Sequence, residues 1–301
     1  LIFAFFVRQF PRLLGEDDMT ISKNARKLFP LLTISALLPL ASANAALVHR
    51  YSLNGNGNDS VGTANGTLNN PGGTASFSST ALNTTNANAT DFLSLPSSVG
   101  TGITGDFSIE DWLTQAGSET AYTSIFSFST STSNFILLNP NRNGTGTTAD
   151  FDQPSVTNAG AGTEVNVNAP GTAFKVNGNF GTELQIVLTY VSSTGIASMY
   201  NDGTLLASGN VGTGFSFQAA TNGSYDGIGG GDAYADPDFN GSTDDLRIYS
   251  QALTAAQISA LETAGPNATT AQINNLVPEP ASLAGIAGLG LLLNARRLRR
   301  H

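Results

Sequence analysis

The 301-residue chain has no cysteine, one tryptophan and two histidines, and its positive charge is gathered at its ends. Without cysteine there can be neither disulfides nor thiolate metal sites. His301 belongs to the tail, so a Ser-His-Asp arrangement would have to use His49, and no nucleophile-elbow motif accompanies it. Of 13 Lys and Arg, only Arg50, Arg142, Lys175 and Arg247 lie in the body, against 18 acidic residues from Asp59 to Glu262. Such a body repels phosphate backbones, which excludes nucleic-acid binding. It favours cations, and a structural calcium is the cofactor that Asp side chains and carbonyl oxygens would suit. Long apolar runs are missing too. The C-terminal run, 281–295, is 15 residues long, short of the ~17–25 that a spanning helix needs.

The N-terminal region reads as an export signal. From Met19 the chain runs "MTISKNARKLFPLLTISALLPLASANAA". Lys23, Arg26 and Lys27 form a basic start, 28–40 an apolar stretch, and Ala43-Asn44-Ala45 a small-residue cleavage site. Pro30 and Pro39 would break a buried helix here. Residues 1–18 then read as translation from upstream of the true start.

The body, from residue 46 to 265, is rich in Gly, Asn, Ser and Thr but carries short alternating runs between turn signals. Examples are "LVHRYSL" (47–53), "DFLSLP" (91–96), "FSIEDWL" (107–113), "SIFSFS" (124–129), "FILLN" (135–139), "ELQIVLTYV" (183–191) and "DDLRIYS" (244–250). Period-2 alternation is the strand signal, and Asp202-Gly203 in "MYNDGTLL" is a hairpin cue. One segment reads as a helix: Thr254 as N-cap with Gln257 in a capping box, Ile258 and Leu261 on one face, and Gly265-Pro266 as the stop. Many strands, one short helix near the C-terminal end and no βαβ rhythm predict an all-β antiparallel sandwich or jelly roll. The stretch 141–172 reads as long loops around weak strands.

Four blocks then resemble bacterial laminin-G-like, concanavalin A-like jelly-roll domains, in family order over about 47–265. They are "YSLNGNGNDSVGTANGTL" (51–68), "FSIEDWLTQ" (107–115), "LQIVLTYVSSTGIASMYNDGTLLASG" (184–209) and "FNGSTDDLRIYSQALTAAQISAL" (239–261). Thr243 and Gln257 depart from the closing signature, and Gln185-Ile186 stands where many members have a Trp-His pair. The resemblance implies binding of carbohydrate or another surface component. It also implies a calcium between opening loop and closing strand, using Asp59 with Asp244 or Asp245. Successive Asp residues face opposite ways, so at most one of that pair can serve.

Other chemistry is thinner. Glycoside hydrolases of this fold carry Glu-x-Asp-x-Glu on one strand, whereas Glu110 and Asp111 are adjacent and point to opposite faces. Asp150 and Asp152 would share a face without a third acid. No catalysis is expected. "DPDFNG" (236–241) fits the start of a calcium loop through Asp236, Asp238 and Asn240, but Arg247 stands where an EF-hand needs its last Glu. Trp112 invites a sugar-stacking reading, and its phase with Ser108 and Glu110 sets it opposite Phe107 and Ile109, but a core position, restored by a bulge, is the expectation. Tyr225, Tyr234 and Phe239 sit in Gly/Asp-rich loop sequence, where sandwich domains commonly place ligand sites.

The tail, "VPEPASLAGIAGLGLLLNARRLRRH", resembles the PEP-CTERM sorting signal of Gram-negative bacteria. Val277-Pro278-Glu279-Pro280 is followed by the apolar run and by Arg296, Arg297, Arg299 and Arg300. The arginines would stay cytoplasmic and hold the tail transiently in the inner membrane. The resemblance implies the secretion machinery and an exosortase-type enzyme as partners, then release or attachment at the cell surface or in the extracellular matrix, with exopolysaccharide nearby. Residues 266–276 read as a flexible spacer before the sorting segment 277–301. The expected function is an exported, non-catalytic surface or matrix protein that binds glycan. The alternatives are a purely structural matrix component and a remote polysaccharide-cleaving enzyme.

Overall fold

Each alternating run becomes a strand, and the strands form two antiparallel sheets. The structure, a computed structural model, describes residues 46–140, 153–157, 165–167, 180–221 and 224–278. The signal region with Ala43 and Ala45, the acids Asp150 and Asp152, and the tail from Glu279 and Pro280 through Arg296, Arg297, Arg299 and Arg300 lie outside the described residues. Among the described residues no helix is long and apolar enough to cross a membrane.

The first sheet has eight strands: β1 (Leu47–Tyr51), β3 (Ser76–Phe77), β4 (Leu82–Thr84), β6 (Phe107–Gln115), β11 (Glu183–Val191), β12 (Ile196–Asn201), β13 (Thr204–Asn210) and β15 (Gly241–Tyr249). The second has seven: β2 (Thr67–Asn69), β5 (Phe92–Ser94), β7 (Phe126–Ser131), β8 (Asn134–Asn139), β9 (Gln153–Thr157), β10 (Val165–Asn166) and β14 (Gly227–Ile228). In the first sheet the order is β13-β12-β11-β6-β15-β4-β3. One edge of β15 is shared, with β4 on Gly241–Thr243 and β1 on Leu246–Tyr249. Asp202-Gly203 makes the two-residue turn of the β12–β13 hairpin, both at positive φ (44° and 74°), as the dipeptide predicts.

The core lies between the sheets because alternation sends every second side chain inward. Phe107, Ile109 and Leu113 of β6, Leu184, Ile186 and Leu188 of β11, and Leu246 and Ile248 of β15 meet Phe126, Phe128, Ile136 and Leu138 of the second sheet. A short helix α1 (Phe217–Ala220) drives Phe217 into this space, 5.3 Å from the ring of Phe107 and 4.9 Å from that of Phe128.

A smaller core covers the outer face of the first sheet. Helix α2 (Ala255–Ala264) has the predicted Thr254–Gln257 capping box, the buried Ile258 and Leu261, and Gly265 as its C-cap. The supposed spacer proves to be structured. Thr269 caps a further helix, α3 (Thr270–Leu276), through a second capping box with Gln272. Ile273 and Val277 pack with Leu47, Val187, Tyr249, Ile258 and Leu261. The folded body therefore runs to Val277, because Ile273 and Val277 supply apolar faces that the polar residues around them conceal.

Candidate functional site

The outer face of the first sheet carries a buried ionic network under these helices. Ser108, Glu110 and Trp112 project there from β6, as their phase requires, and the ladder of β6 with β11 is unbroken. Trp112 is thus buried outside the main core, and its Nε1 donates to Glu110 Oε1 at 2.9 Å. The same oxygen accepts from Gln185 Nε2 (2.8 Å) and Arg247 Nη1 (3.0 Å), while Glu110 Oε2 accepts from the Tyr249 hydroxyl (2.6 Å). Arg247 also pairs with Asp245, and Asp245 with Arg50 at 2.9 Å. The arginines then reach the α2–α3 connection. Arg247 Nη2 donates to the carbonyls of Gly265 and Pro266, and Arg50 to Pro266 O and Thr270 Oγ1. Every strong charge in this layer has a partner, as buried charges require.

Above Arg50 opens a cleft of about 510 Å³. Its walls come from the loop after β1 (Ser52, Asn54, Ser60), the start of β11 (Glu183), β15 (Asp244) and the segment Pro266–Thr270. A bulge between Thr243 and Asp245 places the two neighbouring acids differently: Asp245 enters the ionic layer and Asp244 lines the cleft. Burial pushes the Glu183 carboxyl up to about 7, reinforced by a hydrogen bond with Asp244 and by its charge. Hydroxyls, amides and a carboxyl pair dominate the lining, and aromatic side chains are absent from it.

A second group of acids gathers in the loops before β15. Ser124 Oγ donates to Asp232 Oδ2 (2.8 Å), and Asp232 Oδ1 accepts from the backbone N–H of Tyr234 and of Asp236. Asp238 is fully buried and accepts from the Asp91 N–H at 2.7 Å. Burial pushes both Asp236 and Asp238 up to about 7, with the charge of Asp232 acting on each and that of Asp91 on Asp238.

The residues singled out in the sequence fall into these places unevenly. Asp59 accepts from His49 Nδ1 (2.6 Å) and from the backbone N–H of Arg50, Val61, Gly62 and Ala64. Burial opposes its ionisation, yet these donors hold it well below the usual carboxylate range. Gly62 is required in that turn, because a Cβ there would meet Asp59 Oδ2. Asp59 and Asp245 both engage Arg50, Asp59 at the backbone N–H of Arg50 and Asp245 at its guanidinium, while Asp244 lines the cleft. Asn240 donates its N–H to Glu119 and its side-chain amide to Ser118 O, away from Asp236 and Asp238. Among the described residues no group of three or more His, Cys, Asp or Glu side chains could hold a metal ion.

Phe239 corrects an expectation: it is fully buried in the main core, and Gly241 makes room for its ring, since a Cβ there would meet it. Tyr234 donates its hydroxyl to Thr132 O and packs edge-on to Phe135 at 5.7 Å, which makes it a loop brace. Tyr225 remains exposed. Glu183, Arg50 and Thr270 of the cleft went unnoticed in the sequence. They come together through strand order and the bulge, which leave no local motif.

Two antiparallel sheets enclosing one core, with helices packed over the outer face of one of them, define a concanavalin A-like jelly roll. Residues 86–259 match the concanavalin A-like lectin/glucanases superfamily, and the chain belongs to that family. No curated protein matches it. Domain 4 of AbnA, a GH43 extracellular arabinanase from Geobacillus stearothermophilus solved in complex with arabinotriose, superposes with a TM-score of 0.54 at 23% identity, covering 72% of this chain and 98% of that one. Trypanosoma rangeli sialidase superposes with a TM-score of 0.51 at 16% identity, covering 74% of this chain and 33% of the sialidase. At these identities the likeness is one of fold.

Proposed function

We propose that this protein is an exported, non-catalytic surface or matrix component whose jelly roll binds carbohydrate. The observation that carries the reading is the cleft over Arg50. It is concave, and it is lined by the hydroxyls, amides and carboxyls that match the alternating donors and acceptors of a saccharide. The arabinotriose held by Domain 4 of AbnA is consistent with this use of the fold. Export and sorting rest on the basic-apolar start and on the Pro-Glu-Pro, apolar and arginine sequence of the tail, with an exosortase-type enzyme as the processing partner.

One observation could favour a hydrolase: a Glu of raised pKa beside an Asp in a cleft. Geometry weighs against it. Both carboxyls line the cleft and the charge of Asp244 acts on Glu183, whereas glycosidase carboxyls flank a scissile bond from two sides, about 5–9.5 Å apart. Calorimetry of the mature body with oligosaccharides cut from the producing cells' exopolysaccharide tests both readings. Saturable binding that is lost on Asn267→Ala plus Thr270→Ala, without release of new reducing ends, is expected. A purely structural component would show no saturable binding, and new reducing ends that vanish in Asp244→Asn would overturn the non-catalytic reading.

A further inference from the structure

The body's charge narrows what the cleft can accept. The described residues contain two cations, Arg50 and Arg247, and both are committed to internal partners, Asp245 and Glu110 among them. Arg50, the charged group on the floor, has its guanidinium turned to Asp245, Pro266 O and Thr270 Oγ1. It therefore offers little free positive charge to a bound anion. On the wall, Glu183 and Asp244 both line the cleft, and among the described lining residues Arg50 is the one basic residue. Among the described residues, an anionic sugar such as a uronate would face this pair with no free cation to balance it.

We propose that the cleft recognises a glycan bearing a free amine, a de-N-acetylated hexosamine unit, whose ammonium sits between Glu183 and Asp244. This rests on the reading of the cleft as a saccharide site. The ammonium takes the place of the proton on Glu183 and forms charge-assisted hydrogen bonds to both carboxyls. The remaining hydroxyls of the sugar meet Asn54, Asn267 and Thr270. Glu183 half-protonated near neutral pH fits this exchange, because the bound cation lowers the cost of ionising it. The overall charge of −9 supports the same choice of sign at longer range.

The test is titration calorimetry of the mature body at 150 mM salt. The probes are a β-1,4-linked glucosamine trimer, its N-acetylated counterpart and a neutral glucose trimer. The free-amine trimer is expected to bind at least tenfold more tightly than the N-acetylated one. In buffers of different ionisation enthalpy near pH 6.5, its binding should release a fraction of one proton. Glu183→Gln and Asp244→Asn should each bring the preference below threefold. Glu262→Gln, which removes a charge from α2, should keep it and so controls for general attraction of a cation to an acidic protein. Equal affinity for the amine and acetylated trimers overturns the inference while leaving the saccharide site standing, as does a preference that survives both cleft variants. Failure of all three trimers to bind overturns the inference. Saccharide binding as such is judged separately, by titration with oligosaccharides from the producing cells.

Discussion

Asp226, Asp236, Asp238 and Glu119 share a condition that carboxyls seldom show in a folded protein. Burial pushes Asp226 up to about 8 and the other three up to about 7, and raises fully buried Asp111 well above the carboxylate range. In the unfolded chain such groups titrate near 4. Between those values the native state binds more protons than the unfolded one, so their stabilising contribution is complete below about pH 4 and is lost as pH rises through 7–8. Asp59 and Asp91, held low by their donors, act oppositely and weaken the fold only in stronger acid. The melting temperature should therefore fall from pH 5 to pH 8.5, and Asp226→Asn should flatten that fall, as scanning calorimetry would reveal. A profile that rises over the interval would mean that these acids are hydrated and ordinary. At this scale the sequence was only partly legible. The opposed faces of Glu110 and Asp111 follow from strand periodicity alone, whereas the expected core place of Trp112 is corrected, because the unbroken ladder with β11 keeps its outward phase. Whether an Asp sits in a turn or against a hydrophobic wall depends on the partner strand, and nothing local records it.

Among the elements, the long strands, the Asp202-Gly203 hairpin and the capped helix α2 were readable because each announces itself within a dozen residues. Of the six two- and three-residue strands, only β5 was read, from its flanking alternation, and β2, β3, β4, β10 and β14 are too short for any period to emerge. Helix α3 was missed because Asn, Thr and Gln dominate its sequence, and its Thr269–Gln272 capping box was read as polar linker. Its docking gives a direct check. Thr269→Ala should lower the unfolding free energy by about 1 kcal/mol through the lost cap. Ile273→Ala should cost about 2–5 kcal/mol, the range for emptying a packed aliphatic site. Urea denaturation measures both, and two neutral results would restore the flexible spacer. The cleft depends on this docking, since its far wall is the Pro266–Thr270 segment that Arg50 and Arg247 hold in place.

For the molecule as a whole, the division of charge decides its surroundings. Basic residues are concentrated in the two terminal segments, and the body between them is acidic. Cells expressing the chain without residues 278–301, which keeps the packed Val277, should release the body into the medium. The full chain should appear first in the inner-membrane fraction and then as a shortened form cut near Pro278–Pro280. Fractionation with mass determination of the mature C-terminus measures this, and an unshortened chain that stays in the membrane would make the tail a plain anchor. The first strand and the last helix also meet at one corner of the sandwich, where Leu47 and Val277 pack in the same cluster and Arg50 of β1 holds Thr270 of α3. A cargo fused ahead of Leu47 would accordingly ride beside Val277, at the other end of the folded body. A pull on the tail would reach the opening strand through Arg50 before it strained either sheet.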